Sequence, residues 1–515
     1  MMMKKKVDSE NSFKLIVFSA IIGVLAGFTS VAYRYALTSA EHVSIQMYEY
    51  VLLNKKYIPI LFVLLAIIGL LVGVLIKKFP LISGSGIPQL KAEVSGNIQG
   101  DWFKTLVFKF LGGVLSIIGG LSLGREGPSI QLGASVANGV ASNLQVSETE
   151  KRILLASGAS AGLASAFNAP LAGVMFAIEE VFKYFSRNIL ISTLVAATCA
   201  DFTSRIFFGN TFSFNFKITN TIPVKHIWIV VILGIAIGLL GVLYNVTLLK
   251  TQALYKIIEK KLGLYKMIIP FIIAGGIGLT FPIVMGGGHH IITELNIQTS
   301  MVLLIMMFVV KFLFSMISFG SGAPGGIFFP LLVLGGLLGG VFARIVIPIL
   351  GLDPSLFYNF VVIAMASYFT VIVRAPMTGI VLMIEMTGNM NQLLPMIISS
   401  TIGYLTAEKL HNDPIYDSLL KNLLQNSNIG KKRNRIKKLQ FEAVVHHNSI
   451  IENQTIKSSD ILPECMIVSV ERNKEEFIPN GDTIIRAGDL ITILTTIDKE
   501  AEVRKNINSL IKGYK

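Results

Sequence analysis

Residues 57–76, 227–249 and 267–288 contain no charged side chain. A bilayer core is crossed by about 20 consecutive apolar residues, so each stretch is long enough to span one. Further apolar stretches lie near 13–37, 103–121, 189–208, 301–319, 328–350, 356–387 and 393–410. A chain with this many such segments is expected to be an α-helical polytopic membrane protein. Its segments are also unusual in being cut by Gly and Pro, at 83–88, 119–128, 169–170, 320–330 and 375–376. Inside lipid, broken backbone is tolerated only where protein or a water-filled cavity surrounds it. Broken helices therefore point to a transport pathway.

Charge is distributed to match. Of the last 90 residues 27 are charged, against 49 of the first 425, so a membrane-like body carries a water-soluble tail. The expected organisation is an N-terminal cytoplasmic segment (1–12), a transmembrane transport domain (13–425), a basic linker (426–440) and a small water-soluble domain (441–515). The start is basic, then polar, and lacks a small-residue cleavage site, so it reads as a retained cytoplasmic end. The net charge of +14 lies mostly on the body, where Lys and Arg in cytoplasmic loops fix orientation; nucleic acid is not an expected partner. Cys199 and Cys465 form no metal-ligand or disulfide pattern. No enzymatic activity and no cofactor are expected.

An internal repeat sharpens the transport reading. Residues 168–179 align without gaps to 374–385, with Ala, Pro, Gly, Ile and Glu identical at matched positions. Upstream, Gly124, Pro128 and Gly133 match Gly326, Pro330 and Gly335. Two similar halves with interrupted segments are the pattern of transporters built around a midplane site. Whether the halves are inverted is not readable from the residues alone.

Three Gly-rich breaks carry the chemistry: Gly84-Ser85-Gly86-Ile87-Pro88, Gly124-Arg125-Glu126-Gly127-Pro128 and Gly326-Ile327-Phe328-Phe329-Pro330. In each, glycines free the backbone and a proline stands where a helix begins. A helix N-terminus presents unpaired N–H groups and partial positive charge, and holds an anion without a full counter-charge. Glu126 is the sharpest single residue, because an acid at membrane depth is functional by default. Its carboxylate is either a tethered competitor for the anion position, removed by protonation, or a structural acid paired with Arg125.

These motifs, in this order and spacing, resemble those of the CLC family of chloride channels and chloride/proton antiporters, over about residues 13–420. The resemblance implies an inverted-repeat fold of many tilted, broken helices and a homodimer in the cell membrane in which each subunit has its own pore. It implies that the hydroxyls of Ser85 and Tyr416 and the backbone N–H groups of Ile327 and Phe328 bind the anion. Gly84, Gly86, Pro88, Gly124, Arg125, Gly127, Pro128, Gly326 and Pro330 support them. Glu126 becomes the external gating and proton-transfer glutamate, and Glu180 the internal proton-transfer glutamate; without the resemblance, Glu179-Glu180 reads as a solvated acidic pair at a helix end. Two titratable groups flanking the anion site favour an antiporter exchanging chloride for protons; the alternative is a passive gated chloride channel of the same fold. A membrane-tethered sensor with a vestigial pore is a further rival, which the intact Ser85, Glu126 and Tyr416 set opposes. Family members preferring nitrate tend to carry Pro at the position of Ser85, and fluoride-specific members depart from the Ser and Tyr pattern, so chloride is the expected substrate.

Gln89 and Lys91 depart from the carboxylates of some bacterial relatives and are expected to alter charge near the intracellular mouth. Lys109 and Lys311 either attract anions or snorkel to the interface. Arg374 and Glu385 are expected to serve packing or charge pairing. His289, His290 and Glu294 lack the spacing of a zinc motif.

The tail alternates short apolar runs, at 441–445, 466–470, 483–485 and 490–494, with turns, and ends in a helix near 499–511. Its basic linker, Lys431 to Lys438, suits anionic headgroups. Residues 467–472, 477–479 and 482–489 resemble the C-terminal domain of RCK and TrkA-type regulators of potassium transport. That implies a cytosolic α+β domain that dimerises and binds a small cytosolic ligand, in some bacteria a cyclic dinucleotide, cyclic di-AMP; the alternative is a clamp that binds none.

Overall fold

The computed structural model describes residues 2–144, 146–210, 212–214, 216, 218, 220–426, 438–459, 464–472, 475–496 and 499–511. The chain separates into two units, Met1–Ser427 and Asn428–Lys515. The basic linker expected over 426–440 lies, apart from its ends, outside the described residues.

The first unit is helical. Its first half runs α1 (Met2–Leu53), α2 (Ile58–Lys78), α3 (Ile87–Val94), α4 (Trp102–Ile118), α5 (Glu126–Ser142), α6 (Glu148–Phe167), α7 (Pro170–Phe176) and α8 (Arg187–Phe208). The second runs α9 (Ile227–Leu262), α10 (Ile268–Thr280), α11 (His289–Glu294), α12 (Met301–Gly320), α13 (Phe328–Leu350), α14 (Phe357–Val373), α15 (Pro376–Thr387) and α16 (Leu393–Lys409), followed by α17 (Ile415–Asn426). Among the described residues, seven stretches are long and apolar enough to cross a membrane. Two apolar stretches expected to cross as single spans are broken. Within 267–288, α10 ends before Pro282, and Gly286 and Gly288 take φ of 57° and 90°, which favours glycine. Within 356–387, Pro376 excludes helical backbone at Ala375, which sits at φ −123°, so α14 and α15 are separate.

The repeat seen in sequence is a repeat in space. Gly124 and Gly326 each donate an N–H to the other's carbonyl at 2.7 Å, forming a two-residue antiparallel bridge between the halves. Glu179 accepts the Met377 and Thr378 N–H groups at 3.1 and 2.8 Å, at the start of α15. Glu385 accepts the Leu171 and Ala172 N–H groups at 3.0 and 2.8 Å, at the start of α7. Each half thus caps the other's broken helix, satisfying N–H groups that have no partner within the helix. Contacts that recur with the halves exchanged are what a local two-fold axis requires. Lys109 donates to the Ile82 and Gly84 carbonyls at 2.9 and 2.6 Å, and Lys311 to Val284 and Gly286 at 2.9 and 2.8 Å. Both lysines are fully buried. They do not snorkel; each ties down the glycine turn beside it.

Close helix approach does the rest. A Cβ on Gly133 of α5 would stand 2.1 Å from the Gly158 carbonyl oxygen of α6, and a Cβ on Gly158 2.3 Å from that of Gly133. Without a hydrophobic drive between helices in lipid, such small-residue contacts carry the packing. Helix α14 is buried almost all round, as expected for a helix apolar on every face.

The second unit holds an antiparallel sheet in the order β1 (Lys438–Val444), β4 (Leu490–Thr496), β2 (Met466–Arg472), β3 (Glu475–Phe477), with α18 (Glu500–Ile511) against it. The run 483–485, expected as a strand, is not one. Ile485 is fully buried, and its backbone bonds Gln454 and Asn453 across a single bridge at Ile484. Its apolar pattern reflects core burial without a ladder. Arg472 holds the buried Asp489 through two bonds, of 2.7 and 2.6 Å, and the Arg486 N–H adds a third. Burial pushes the Asp489 carboxyl up, but the guanidinium and that N–H outweigh it and hold the group below its ordinary value.

Candidate anion and proton site

The site is assembled where the three glycine breaks meet. Gly84 and Gly86 take φ of 65° and 92°, turning the chain so that α3 starts at Ile87 with Pro88 in its first turn. A Cβ on Gly86 would lie 2.3 Å from Gln131 Oε1, so only glycine fits. The Gly84 N–H bonds the Gly322 carbonyl, and the Gly325 N–H bonds the Gly84 carbonyl, locking the first break to the third. Ser85 is buried, and its Oγ accepts the Ile87 N–H at 3.3 Å.

The Gly124–Gly326 bridge sets the starts of α5 and α13 side by side. A Cβ on Gly127 would stand 3.0 Å from Ser85 Cβ and 3.2 Å from Gly326 Cα. Ser85, Gly127 and Gly326 therefore converge within a few ångströms, beside the buried Ile327 and Phe328. Pro128 and Pro330 occupy the third positions of their helices, where a missing N–H costs no intrahelical bond. Tyr416 stands in the first turn of α17, which packs on α3. The side chain is fully buried, and its hydroxyl has no hydrogen-bond partner among the described residues.

Glu126 is 1% exposed. Its Oε2 folds against Gly124, where an added Cβ would come within 2.6 Å of it, and has no partner among the described residues. Arg125 Nε is 3.7 Å from Oε1, too long for a hydrogen bond. The carboxylate lines a cavity of about 480 Å³ that also holds Arg34, Arg125 and His289. Ser85 opens instead on a cavity of about 560 Å³ with Lys256, Lys260 and Lys266 in its wall.

Glu180 does not end an α-helix in solvent. It lies in a π-helical turn, Ala177–Phe182, that continues α7, and π turns are frequent at functional positions. It is 2% exposed, yet one side reaches a third cavity of about 710 Å³. Its Oε1 is 2.6 Å from Lys91 Nζ, which is also 2.6 Å from Asp417 Oδ1, while Lys183 holds the other Asp417 oxygen at 2.5 Å. Lys91 is thus a buried partner of Glu180, a contact that its place in the sequence does not announce. Asp417 escaped that reasoning, although it directly follows Tyr416. Arg374 donates to the Tyr404 and Asn412 carbonyls and pairs with Glu408, fixing the approach to α17.

Helix starts and a buried hydroxyl of this kind are chemically able to hold an anion without a full counter-charge, and two buried acids, Glu126 and Glu180, line separate cavities. Those features define an ion-transport protein of broken-helix type. The family model described as voltage gated chloride channel matches residues 68–408, and that of the TrkA-C domain matches 441–508. The chain belongs to the voltage-gated chloride channel, or CLC, family. It is 32% identical over 432 residues to the H(+)/Cl(-) exchange transporter ClcA of Vibrio parahaemolyticus, covering 82% of this chain and 92% of that one. It is 34% identical over 423 residues to ClcA of Klebsiella pneumoniae, covering 80% and 89%. Among solved structures, a slow cyanobacterial Cl-/H+ antiporter superposes with a TM-score of 0.75 at 29% identity, over 80% of this chain and 99% of that one. A CLC-type fluoride/proton antiporter, at 22% identity and a TM-score of 0.65 over 78% of this chain and 97% of that one, shares the fold.

Proposed function

We propose that this chain is a secondary transporter that exchanges chloride for protons across a cell membrane. The observation that carries the reading is the separation of two buried acids: Glu126 faces one cavity and Glu180 another, while Ser85 opens on a third. A passive pore needs no second acid away from the anion path; a coupled one does, because the proton must reach Glu126 by a route of its own. In this mechanism chloride rests among the Ser85 and Tyr416 hydroxyls and the Ile327 and Phe328 N–H groups. Glu126 takes up a proton from the outer cavity, releases the anion position, and passes the proton inward to Glu180. The exchanger names of the relatives agree with it.

The decisive experiment uses the full-length protein in liposomes with an imposed chloride gradient and a pH electrode outside. Proton movement against its own gradient, driven by chloride, is the expected result. Chloride flux without protons would make the protein a passive channel instead.

The wider assembly follows as part of the same proposal. Two copies associate, each with its own pathway, supported by the exposed Leu171 and Met377 at the mutually capped helix starts; light scattering in detergent checks this. The domain matching TrkA-C is cytoplasmic and controls transport through a small ligand, a cyclic dinucleotide being the first probe. Its exposed Met466 and Ile478 suit a dimerising surface. Control of this kind requires that ligand occupancy change transport. Equal flux with and without residues 441–515, in cyclic di-AMP and in its absence, would refute it.

A further inference from the structure

Lys91 and Glu180 form a buried ion pair. One ammonium, 6% exposed, bridges Glu180 Oε1 and Asp417 Oδ1 at 2.6 Å each. It joins three elements: α3, which follows Ser85; α17, which carries Tyr416; and the π turn that carries Glu180. We propose that Lys91 is a positioning residue that fixes the Glu180 carboxylate and sets the pH range over which it takes up a proton. This rests on the exchange reading above, in which Glu180 relays that proton.

An ammonium in contact with a buried carboxylate favours the ionised form. Asp417 competes for the same ammonium and repels Glu180, so the two neighbours act in opposite directions. Lys183 is the other cation at the cluster, bound to the far oxygen of Asp417. Across the cavity stand Glu179, Arg374, Glu408, His411 and Asp413. Glu179 is engaged at the start of α15, Arg374 pairs with Glu408, and Asp413 pairs with Lys421. Among the described residues, Lys91 is therefore the cation in direct contact with Glu180. The Lys91 contact therefore shifts the pH at which the relay loads, which ties the exchange rate to internal pH.

The test reads the protonation of Glu180 directly, by infrared titration of the full-length protein in lipid. The carboxyl band is assigned by its loss in Glu180→Gln. Lys91→Met should move the midpoint upward by at least about one pH unit, a tenfold change in proton affinity. Asp417→Asn, which keeps the lysine, should move it downward, and Lys91→Arg should leave it nearly in place. Opposite signs cannot come from general loosening of the fold. An unmoved midpoint in Lys91→Met, or a downward shift absent from a well-folded Asp417→Asn, overturns the proposal. In the liposome assay the internal pH for half-maximal proton transport should follow the same order. Because the infrared midpoint does not depend on transport, a wild-type protein that moves chloride without protons would refute the exchange reading separately.

Discussion

The two halves of the membrane unit share a skeleton and differ in chemistry. Their matched positions include Lys109 and Lys311, each holding a glycine turn, and Glu179 and Glu385, each capping a helix of the other half. At the same alignment Glu126 faces Phe328, Ser85 faces Gly287, Lys91 faces Thr293 and Glu180 faces Met386. Every group proposed to move a proton or hold the network around it lies in the first half or in α17. The two halves share one backbone solution to burying broken helices, and only the first carries the acids proposed for proton transfer. Both copies still contribute helix starts, since these are properties of the shared backbone.

The largest test of this asymmetry is a matched pair of substitutions. Glu180→Ala should reduce coupled proton transport by a factor on the order of 10² or more, the scale of a lost proton-transfer group, with chloride flux retained. Met386→Ala, at the matched position, should leave proton coupling intact. Both are read in the liposome assay, and persistent coupling in Glu180→Ala would break the comparison at its root.

A second pair tests the shared skeleton. Lys109→Met and Lys311→Met each strip two buried carbonyls of a charged donor. Leaving those groups unpaired costs about 2–6 kcal/mol in total. Thermal unfolding in detergent should therefore fall sharply, and by similar amounts, for both. A large loss for one and none for the other would show that the halves are held by different means.

Much of the skeleton was legible in the sequence because Gly, Pro and apolar runs are direct statements about backbone. The glycine breaks at 84–88, 124–128 and 326–330 mark the convergence of α3, α5 and α13. The alignment of 168–179 with 374–385 already contained both capping glutamates, though not what they cap. What was illegible depends on contacts between residues distant in the chain. Lys91 and Asp417 are 326 positions apart, and nothing local announces that they share a buried site. Lys109 and Lys311 misled for a related reason: a lone lysine in an apolar segment usually snorkels, and only the tertiary position of two carbonyls shows otherwise. In the tail, the run 483–485 misled because alternation reports burial, and Ile485 is buried without being in a strand.

The smallest effect concerns the reciprocal caps. Glu179→Ala frees the N–H groups of Met377 and Thr378, and Glu385→Ala those of Leu171 and Ala172. Loss of a helix cap costs about 0.5–2 kcal/mol, and a carboxylate near the positive end of a helix sits at the upper part of that range. Glu179 also accepts the Thr378 hydroxyl at 2.8 Å, a bond with no equivalent at Glu385. The two losses should therefore be close but unequal, with Glu179→Ala the more destabilising, and Thr378→Val should remove most of the difference. Thermal unfolding of the three variants measures it. Glu179 adjoins Glu180, so the capping reading also predicts that Glu179→Ala keeps chloride-driven proton movement while lowering stability. Loss of coupling at unchanged stability would move Glu179 from the shared skeleton to the chemistry of the first half.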